Sequence, residues 1–304
     1  LLTNEISDKL PIYKKFYKCD MKIQSKGDTD DITKQPVLIK FSKKKKINKE
    51  LIILMLLEES EYIINVYNFA YKPSVGYYLI EEFCIGGDLY DYVINNKLTN
   101  FDIKVIMYQI IRAVQDCHKS DISHLDLKLE NFVLKNKNNL QDIKLIDFEG
   151  SKKYNSDDIK EYNTRKLIIS EYYTPPEILY QKEILSSELK KIDFWEIGII
   201  LYSLWFKSYP FGNKHPDDIS KKKFNKFKEY YDMGNFNKIR KDFPLSIKKL
   251  EQMDETSMEL FLDLIKINPK KRLDLDKLRI NFENDDILNR YFKDIKELII
   301  NDVI

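Results

Sequence analysis

The octapeptide HLDLKLEN, residues 124–131, is the stretch around which the rest of this chain can be arranged. It places a carboxylate at Asp126, an ammonium group at Lys128 and an amide at Asn131 within one short segment. These groups can serve as a general base, a phosphate contact and a metal ligand, which is the set that phosphoryl transfer requires. Because one short motif can arise by chance, the rest of the chain must carry matching features in the right order.

The bulk composition is that of an ordinary globular protein. The chain has 304 residues, 43% of them hydrophobic and 33% charged, and is long enough for two tightly packed lobes. Lys and Arg number 51 and nearly cancel the 49 Asp and Glu residues. The sequence therefore lacks the overall basic field that nucleic-acid binding needs, and we expect no nucleic-acid partner.

The cysteines and the apolar stretches bear on compartment and membrane association. Cys19, Cys84 and Cys117 form an odd set without metal-ligand spacing, which favours free thiols in a reducing, cytoplasm-like compartment and predicts no zinc site. The apolar runs are far shorter than the roughly 20 residues that span a bilayer, so we expect no membrane span. The sequence begins with leucine, so we expect a fragment whose upstream targeting segment would not be visible.

Lys40 and Glu50 lie in two predicted elements that precede the octapeptide. Residues 37–40, Val-Leu-Ile-Lys, end an alternating stretch that predicts an antiparallel strand. Glu50 begins a helix-length apolar run in which Leu54 and Leu57 share one face. Taken alone, Lys40 is explained as a strand-end lysine and Glu50 as a favourable acid in the first turn of a helix.

A long amphipathic helix is predicted directly before the octapeptide. Over residues 102–118 the apolar residues recur at helical spacing, and Thr99 or Asn100 can serve as the cap. His118 closes this helix, and we expect it to be a packed or capping histidine rather than a catalyst. The repeated apolar positions are Ile103, Ile106, Met107, Ile110, Ile111, Val114 and Cys117.

The segments after the octapeptide add further motifs in order. Asp147 follows the strand-like run Ile-Lys-Leu-Ile at 143–146 and opens Asp-Phe-Glu, which taken alone would be a strand end with a turn acid. Pro-Pro-Glu follows at 175–177, and Asp-Phe-Trp-Glu-Ile-Gly at 193–198 precedes Arg272. A chance sequence would have to place all of these features in the same order.

Together the motifs resemble the eukaryotic protein kinase superfamily. The octapeptide is similar to the catalytic loop H-R-D-L-x-x-x-N, residues 37–40 to V-A-I-K, and residues 147–149 to D-F-G. The resemblance implies an α+β bilobal fold, with a small β-rich N-lobe that contains one helix and a larger, mainly helical C-lobe. It implies one kinase domain over 1–304, with the N-lobe at about 1–82, a hinge at 83–88 and a C-lobe at 89–304. The apolar residues Ile287, Tyr291, Ile295 and Leu298 suggest an extra C-terminal helix beyond the usual fold.

The resemblance also implies roles for individual residues, with ATP and Mg2+ as cofactors. Asp126 would be the catalytic base and Lys128 the catalytic phosphate contact, and Asn131 and Asp147 would bind metal. Lys40, held by Glu50, would contact the phosphates, and the hinge would expose its backbone to adenine. The implied cofactor-binding residues are Lys40, Glu50, Glu82, Cys84, Asn131 and Asp147.

Other positions are implied to support the site or to line it. Asp193 would anchor the catalytic loop, and Arg272 would be buried against Glu177. Ser170 takes the place of a threonine that commonly hydrogen-bonds the catalytic aspartate. Glu81 falls at the gatekeeper position behind adenine, where a buried carboxylate should find a partner or be partly wet.

Three departures from the kinase pattern affect regulation and closure. No glycine precedes Gly27, and a rough alignment puts Phe16, Lys18 and Met21 near the glycine positions of the phosphate-covering loop. Leu125 replaces the arginine that would meet a phosphate in the activation segment. Glu149 replaces a glycine and would restrict movement of its loop. With these departures the chain looks similar to the divergent apicomplexan kinases named for a Phe-Ile-Lys-Lys motif, here Leu-Ile-Lys-Phe at 38–41.

Three functions stay open at this point. The first is a Ser/Thr-directed protein kinase, favoured by Lys128, whose protein substrates carry basic residues upstream of the phosphosite. Glu130 and Asp88 suggest that preference, although both are equally explained as solvated acids. The second is a pseudokinase-like scaffold that binds partners with weak or no phosphotransfer, suggested by the missing glycines and Glu149. The third, a small-molecule kinase, is disfavoured by the complete activation segment.

Overall fold

The structure, a computed structural model, describes residues 16–24, 32–42, 46–73, 76–154, 161–210, 250–266, 268–278, 286–301 and 304. Within these residues a β-rich N-lobe precedes a mainly helical C-lobe, as predicted. Residues 1–15 and Gly27, which bear on the predicted glycine-poor loop, lie outside the described part. That prediction therefore stays a prediction.

The N-lobe is built on an antiparallel four-stranded sheet in the order β1-β2-β4-β3. Alternating β-branched and aromatic residues explain why these segments form strands. One helix, α1, joins β2 to β3 and packs on the sheet. The bounds are β1 Phe16–Gln24, β2 Ile32–Ser42, α1 Lys46–Leu56, β3 Val66–Lys72 and β4 Gly76–Glu82.

The register of this sheet decides which side chains face the cleft between the lobes. Lys40 lies opposite Leu79, and Leu38 opposite Glu81. Directly paired residues share a face and successive residues alternate, so Lys40 and Glu81 lie on the same face. The opposite face carries the separate buried cluster of Val37, Ile39 and Ile80.

In the residues that the structure describes, the C-lobe contains helices and three short strand pairs. Its helices are α2 Leu89–Asn95, α3 Asn100–Lys119, α4 Pro176–Tyr180, α5 Lys190–Phe206, α6 Glu255–Leu264, α7 Ile287–Phe292 and α8 Lys296–Ile300. Its antiparallel pairs are β5 Ile122–Ser123 with β8 Lys152–Lys153, β6 Phe132–Leu134 with β7 Ile143–Leu145, and β9 Glu161–Asn163 with β10 Glu183–Leu185. None of the helices in the described part is long and apolar enough to cross a membrane.

The helix α3 forms where the sequence predicts it. Thr99 is its N-cap and exchanges hydrogen bonds with Asp102 in a capping box, which satisfies amides that the first turn leaves free. The predicted apolar face is buried, including Ile106 and Ile110. This helix runs through the C-lobe core and delivers the chain to the catalytic loop.

The helix α5 is buried on all sides and passes beneath that loop. It contains Asp193, Glu196 and Gly198, and its apolar residues contribute to the main core. A Cβ atom at Gly198 would lie 2.9 Å from Ile265 and 3.0 Å from Leu264. The glycine therefore lets the end of α6 approach α5 closely, which fixes α5 under the site.

The predicted extra helix at the C-terminal end is present as α7 and α8, joined by a short 3-10 turn. Tyr291 and Ile295 are buried, as the helical pattern requires. Lys104 of α3 pairs with Asp294 at 2.5 Å. Helix α7 and the turn after it are thus part of the C-lobe core, and Leu298 and Ile299 of α8 are partly buried against that core.

Two local predictions are wrong. Glu50 is the fifth residue of α1, which begins at Lys46, so it is not a first-turn acid. Phe16, Lys18 and Met21 lie inside β1 and pair with β2, because the two strands form one continuous ladder. They therefore do not occupy a loop that covers phosphates.

Candidate active site

Asp193 anchors the loop that carries the octapeptide. Its Oδ2 accepts a hydrogen bond from the backbone N–H of His124 at 3.0 Å, and its Oδ1 accepts one from Leu125 at 2.8 Å. Leu125 has a φ of 68°, a left-handed conformation that costs a branched residue free energy. The two carboxylate contacts compensate for this conformation and hold the loop in place.

His118 braces the anchor from the end of α3. Its Nε2 lies 2.7 Å from Asp193 Oδ2, and its Nδ1 lies 2.8 Å from Asp276 Oδ1. Burial alone would lower the pKa of this histidine, but hydrogen bonds to both carboxylates raise the pKa to about 9. His118 is therefore a charged imidazolium at neutral pH, rather than the simple packed or capping histidine that the sequence predicts.

Glu196 adds a third contact from α5 to the same loop. Its Oε2 accepts a hydrogen bond from the backbone N–H of Leu127 at 2.9 Å. The residue is wholly buried, and its Oε1 has no hydrogen-bond partner in the described part of the chain. Burial, with Asp193 nearby, raises the pKa of Glu196 well above its ordinary value, which favours the neutral acid.

The carboxylate of Asp126 is the centre of the site. Its Oδ2 accepts hydrogen bonds from Lys128 Nζ at 2.7 Å and from Asn131 Nδ2 at 3.2 Å. Its Oδ1 accepts one from the backbone N–H of Ser170 at 3.0 Å. Both oxygens are held, so the carboxylate has a defined orientation.

Ser170 connects the activation segment to this centre. The sequence aligns it with a threonine that hydrogen-bonds the aspartate, and the contact to Asp126 is present through its backbone N–H. Its hydroxyl instead accepts a hydrogen bond from Lys128 at 2.8 Å. Lys128 therefore bridges the loop and the activation segment.

His124 packs beneath the loop as a neutral imidazole. Its Nε2 donates to the carbonyl of Ile146 at 3.0 Å, and its Nδ1 accepts from the backbone N–H of Asp126 at 3.3 Å. These partners define the tautomer. Burial lowers the pKa of His124, in agreement with the neutral form. Phe148 packs edge-on against the ring, with 4.8 Å between centroids.

Asn131 and Asp147 are brought together by the hairpin of β6 and β7. Asn131 directly precedes β6, and its carbonyl accepts from the backbone N–H of Ile146 at 2.9 Å. The Asn131 side-chain nitrogen donates to the Asp126 carbonyl at 2.7 Å, which leaves the amide oxygen as an acceptor. Within the described part no three His, Cys, Asp or Glu side chains form a metal cluster. One amide and one carboxylate are a donor set suited to Mg2+.

Lys40 joins both lobes through its ammonium group. Its Nζ lies 2.6 Å from Glu50 Oε1 in α1 and 3.3 Å from Asp147 Oδ1. Burial alone would lower the pKa of Lys40, but the two carboxylates outweigh it and raise the pKa above its ordinary value. Lys40 is therefore firmly charged and placed beside the predicted metal ligand.

The side chain of Glu81 lies on the same face of the sheet as Lys40, and 6% of the residue's surface is exposed. The sequence predicts a partner or partial hydration for this carboxyl group, and none of its oxygens is among the fully buried atoms that lack a hydrogen bond in the described residues. Burial raises the pKa of Glu81 to about 8. The side chain avoids the cost of an unpaired buried charge because it can be neutral.

The hinge places Glu82 and Cys84 at the edge of the cleft. The Glu82 side chain accepts from Asn65 at 3.0 Å and lies 3.5 Å from Lys135. Past the end of β4, the backbone N–H and C=O of Cys84 have no hydrogen-bond partner within the described residues. A planar base with a donor and an acceptor fits such groups.

Glu177 and Arg272 form the buried pair that the sequence predicts. Two parallel hydrogen bonds of 2.8 and 3.0 Å join the guanidinium to the carboxylate. Arg272 also donates to the backbone carbonyl of Lys266 at 3.0 Å. The pair ties α4, at the end of the activation segment, to the base of the C-lobe.

Leu125 and Glu149, which stand where the kinase pattern has an arginine and a glycine, differ in burial. Leu125 is fully buried in an apolar cluster with Tyr154, Ile184, Leu189 and Ile192. Glu149 is exposed and does not have a left-handed φ, so its side chain causes no backbone strain in this conformation. Of the two, only Leu125 changes the packing of the site.

Sequence reasoning missed two supports of the site, Glu196 and the bridging role of His118. Glu196 could have been found, because a glutamate inside a helix that is apolar on all sides must be buried. The contact between His118 and Asp276 could not have been predicted, because Asp276 lies far along the chain. Glu196 contacts the backbone of the catalytic loop directly, and His118 acts on it through Asp193.

Comparison with known proteins places this site in a family. The sequence profile described as "Protein kinase domain" matches residues 29–280. Calcium-dependent protein kinase 5 of Plasmodium berghei is 30% identical over 277 residues, which cover 87% of this chain and 45% of that protein. Its counterpart in Plasmodium falciparum is 28% identical over 300 residues, 94% of this chain and 47% of that protein.

A plant protein kinase is also similar to this chain. The calcium/calmodulin-dependent serine/threonine-protein kinase 1 of Oryza sativa is 32% identical over 167 residues, which cover 54% of this chain and 26% of that protein. The chain spans about half the length, or less, of the curated relatives that it matches. The similarity therefore concerns the part of those proteins that aligns with this chain.

Proposed function

This chain belongs to the protein kinase family, and from this membership we propose that it is a serine/threonine protein kinase that transfers the γ-phosphate of ATP to hydroxyl groups of other proteins. The proposal rests on the contact of the Asp126 carboxylate with Lys128 at 2.7 Å and Asn131 at 3.2 Å. A base, a phosphate-binding cation and a metal ligand are gathered there. We further propose that residues 1–304 form one kinase domain with the lobe and hinge bounds predicted from the sequence.

The protein kinase family generally uses ATP and Mg2+. In this chain we assign Asn131 and Asp147 to the metal, Lys40 to the phosphates with Glu50 holding it, and the backbone of Glu82 and Cys84 to adenine. Mg2+, when bound, neutralises charge on the phosphate oxygens. The free amide oxygen of Asn131 and the carboxylate of Asp147 suit that cation.

Asp126 and Lys128 position the substrate hydroxyl and neutralise charge on the phosphoryl group. Asp126 orients the substrate hydroxyl and accepts its proton, and its contacts with Ser170 and Asn131 hold it in the required orientation. Lys128 bridges Asp126 and Ser170, from where it neutralises negative charge on the phosphoryl group in transfer. Positioning and charge neutralisation are the main means by which kinases accelerate the reaction.

Serine and threonine are the proposed acceptors because Lys128 resembles the lysine of kinases directed at those residues. The name of the rice relative agrees with this choice. For substrate sequence we propose basic residues upstream of the phosphosite. Glu130 supports this preference, since one of its carboxylate oxygens is buried without a hydrogen bond in the described part. Asp88 supports it less, because its carboxylate caps α2.

The scaffold alternative rests on Glu149 and on the missing glycines. Glu149 causes no backbone strain in this conformation, and its restriction of loop movement stays a prediction. The missing glycines before Gly27 remain, and they favour weak phosphotransfer because side chains keep a covering loop away from phosphates. An assay of turnover separates the two functions.

The test is transfer of labelled phosphate from Mg-ATP to a mixture of basic Ser, Thr and Tyr peptides. The unaltered chain should phosphorylate Ser or Thr, and Asp126→Asn should lower kcat by about a hundredfold or more. The variant should unfold at the same denaturant concentration as the unaltered chain. Equal background turnover in both proteins would leave the scaffold as the function, and label on tyrosine alone would refute the choice of acceptor.

A further inference from the structure

We infer that Asp276, which lies in the 3-10 turn Leu275–Lys277 at the base of the C-lobe, is a positioning residue for the proposed reaction. It acts on the catalytic loop through His118 and Asp193. The inference rests on the proposed function, because it concerns turnover at Asp126.

A continuous row of polar contacts joins Asp276 to the loop. Asp276 Oδ1 lies 2.8 Å from His118 Nδ1, and His118 Nε2 lies 2.7 Å from Asp193 Oδ2. That oxygen of Asp193 accepts from the backbone N–H of His124 at 3.0 Å, and the other accepts from Leu125 at 2.8 Å. The imidazole ring of His118 is therefore fixed between one carboxylate that holds the loop and one that does not touch it.

The charges along this row depend on one another. Asp193 is fully buried, and within the described residues its ion pair is with His118. A buried carboxylate needs a cation, so the hold on the loop is strongest while the ring is charged. Burial alone would lower the pKa of His118, but hydrogen bonds to Asp193 and Asp276 raise the pKa to about 9. Without the carboxylate of Asp276 the ring would lose its proton at a lower pH.

Asp276 is itself held as an ionised carboxylate. Its Oδ2 accepts a hydrogen bond at 2.9 Å from Nζ of Lys190, the first residue of α5. Burial alone would raise the pKa of Asp276, but the contacts with His118 and Lys190 outweigh burial and lower the pKa. Both oxygens of Asp276 are therefore engaged, and the carboxylate has a defined direction towards the imidazole ring.

Two other titratable groups lie near the ring. Tyr154, which follows β8, has its ring 6.3 Å from the imidazole and donates to the carbonyl of His118 at 3.3 Å. Cys117 precedes His118 in α3. Burial raises the pKa of both groups, so both are neutral at pH 6 to 8. In that range the charge of the ring is therefore set by its two carboxylate partners.

The test compares kcat of Asp276→Asn with kcat of the unaltered chain between pH 6 and 8, at saturating Mg-ATP and peptide. Asparagine keeps the size of the side chain and removes its charge. The ratio of the two kcat values should be near one at pH 6, where the ring is charged in both proteins. It should fall about tenfold by pH 8, where the variant has lost the charge that balances Asp193. A merely structural defect would lower kcat by the same factor at every pH.

Asp274→Asn is the matched control. It makes the same change two residues away in the chain, at a carboxylate that lies 3.0 Å from Lys191 and pairs with lysines rather than with His118. Its kcat should stay near that of the unaltered chain at every pH. A fall with pH equal to that of Asp276→Asn would show that the imidazole contact is not the cause.

NMR of the histidine rings gives a second readout that does not need activity. The chain has three histidines, and the signal that disappears in His118→Gln identifies the ring. It should titrate near pH 9 in the unaltered chain and in Asp274→Asn, and at a lower pH in Asp276→Asn. In the unaltered chain kcat should fall as this ring loses its proton. That comparison tests the inference even where Asp276→Asn does not fold, and a constant kcat through the titration would overturn it.

The outcomes separate the inference from the proposed function. A kcat ratio that does not change with pH, or a ring that titrates at the same pH in Asp276→Asn, would overturn the inference and leave the proposed function standing. If the unaltered chain transfers no phosphate at any pH, the proposed function is wrong and the inference fails with it.

Discussion

Glu196 in the buried helix α5 accepts a hydrogen bond from the backbone N–H of Leu127, the residue between the proposed base and the proposed phosphate contact. The bond is 2.9 Å long and wholly buried. With the two contacts from Asp193, it means that one helix holds three amides of the catalytic loop. Helix α5 therefore fixes the backbone of the loop, in addition to the contacts that the loop makes within itself.

Replacement of Glu196 should impair turnover only where the new side chain lacks an oxygen that can accept the hydrogen bond from Leu127. Glu196→Met leaves the amide of Leu127 buried and unpaired, at a cost of about 1–3 kcal/mol. We expect kcat to fall about tenfold or more, with little change in KM for ATP. Glu196→Gln keeps an oxygen acceptor and carries no charge, as the neutral acid does, so its kcat should stay near that of the unaltered chain. Equal losses in both variants would show that the hydrogen bond is not what matters.

The pair of Lys40 and Glu50 should behave as one unit in catalysis. Lys40→Met and Glu50→Gln should each lower kcat/KM by about a hundredfold, since each removes or releases the phosphate-binding cation. Because the two groups are in contact at 2.6 Å, the double variant should lose much less than the product of the single losses. Lys72→Met, which removes an exposed lysine from the same lobe, serves as the control. Independent, multiplicative losses would contradict the coupling.

Breaking the buried pair of Glu177 and Arg272 should destabilise the fold strongly. Arg272→Met leaves the carboxylate of Glu177 without its partner in the interior, so the free energy of unfolding should fall by roughly 3–5 kcal/mol in urea titration. Lys270→Met removes a largely exposed lysine, 3.9 Å from Glu188, and should change the free energy by less than about 1 kcal/mol. Similar small effects from both variants would mean that the buried pair contributes little.

His118 should make stability depend on pH on the alkaline side. Its pKa is raised from 6.5 to about 9 in the folded chain, so its contribution is complete below pH 6.5 and is lost as pH rises through about 9. The shift corresponds to roughly 3 kcal/mol of the free energy of unfolding. Urea titrations between pH 6 and 10 should show this decline in the unaltered chain and a flatter profile in His118→Gln. Identical profiles in the two proteins would exclude His118 as the source.

The sequence predicts the bilobal fold and the contacts whose residues lie in recognisable motifs. The pairs Lys40 with Glu50 and Glu177 with Arg272 follow from motif order, because the fold brings those motifs together. The burial of Glu196 follows from its place in an apolar helix, but its hydrogen-bond partner does not, because Leu127 lies far away along the chain. Whether Glu81 has a partner also cannot be read from a pattern, because it depends on which side chains converge from different strands.

Leu125 determines which kind of contact joins the catalytic loop to the start of the activation segment. Its apolar cluster links the catalytic loop to Tyr154 of the activation segment and to Ile184, Leu189 and Ile192, which follow that segment. An apolar link is insensitive to ionic strength and offers no charge for a phosphate to pair with. A phosphate on the activation segment therefore finds no charged partner at Leu125, and the polar contacts between the two segments include those that Ser170 makes with Asp126 and Lys128.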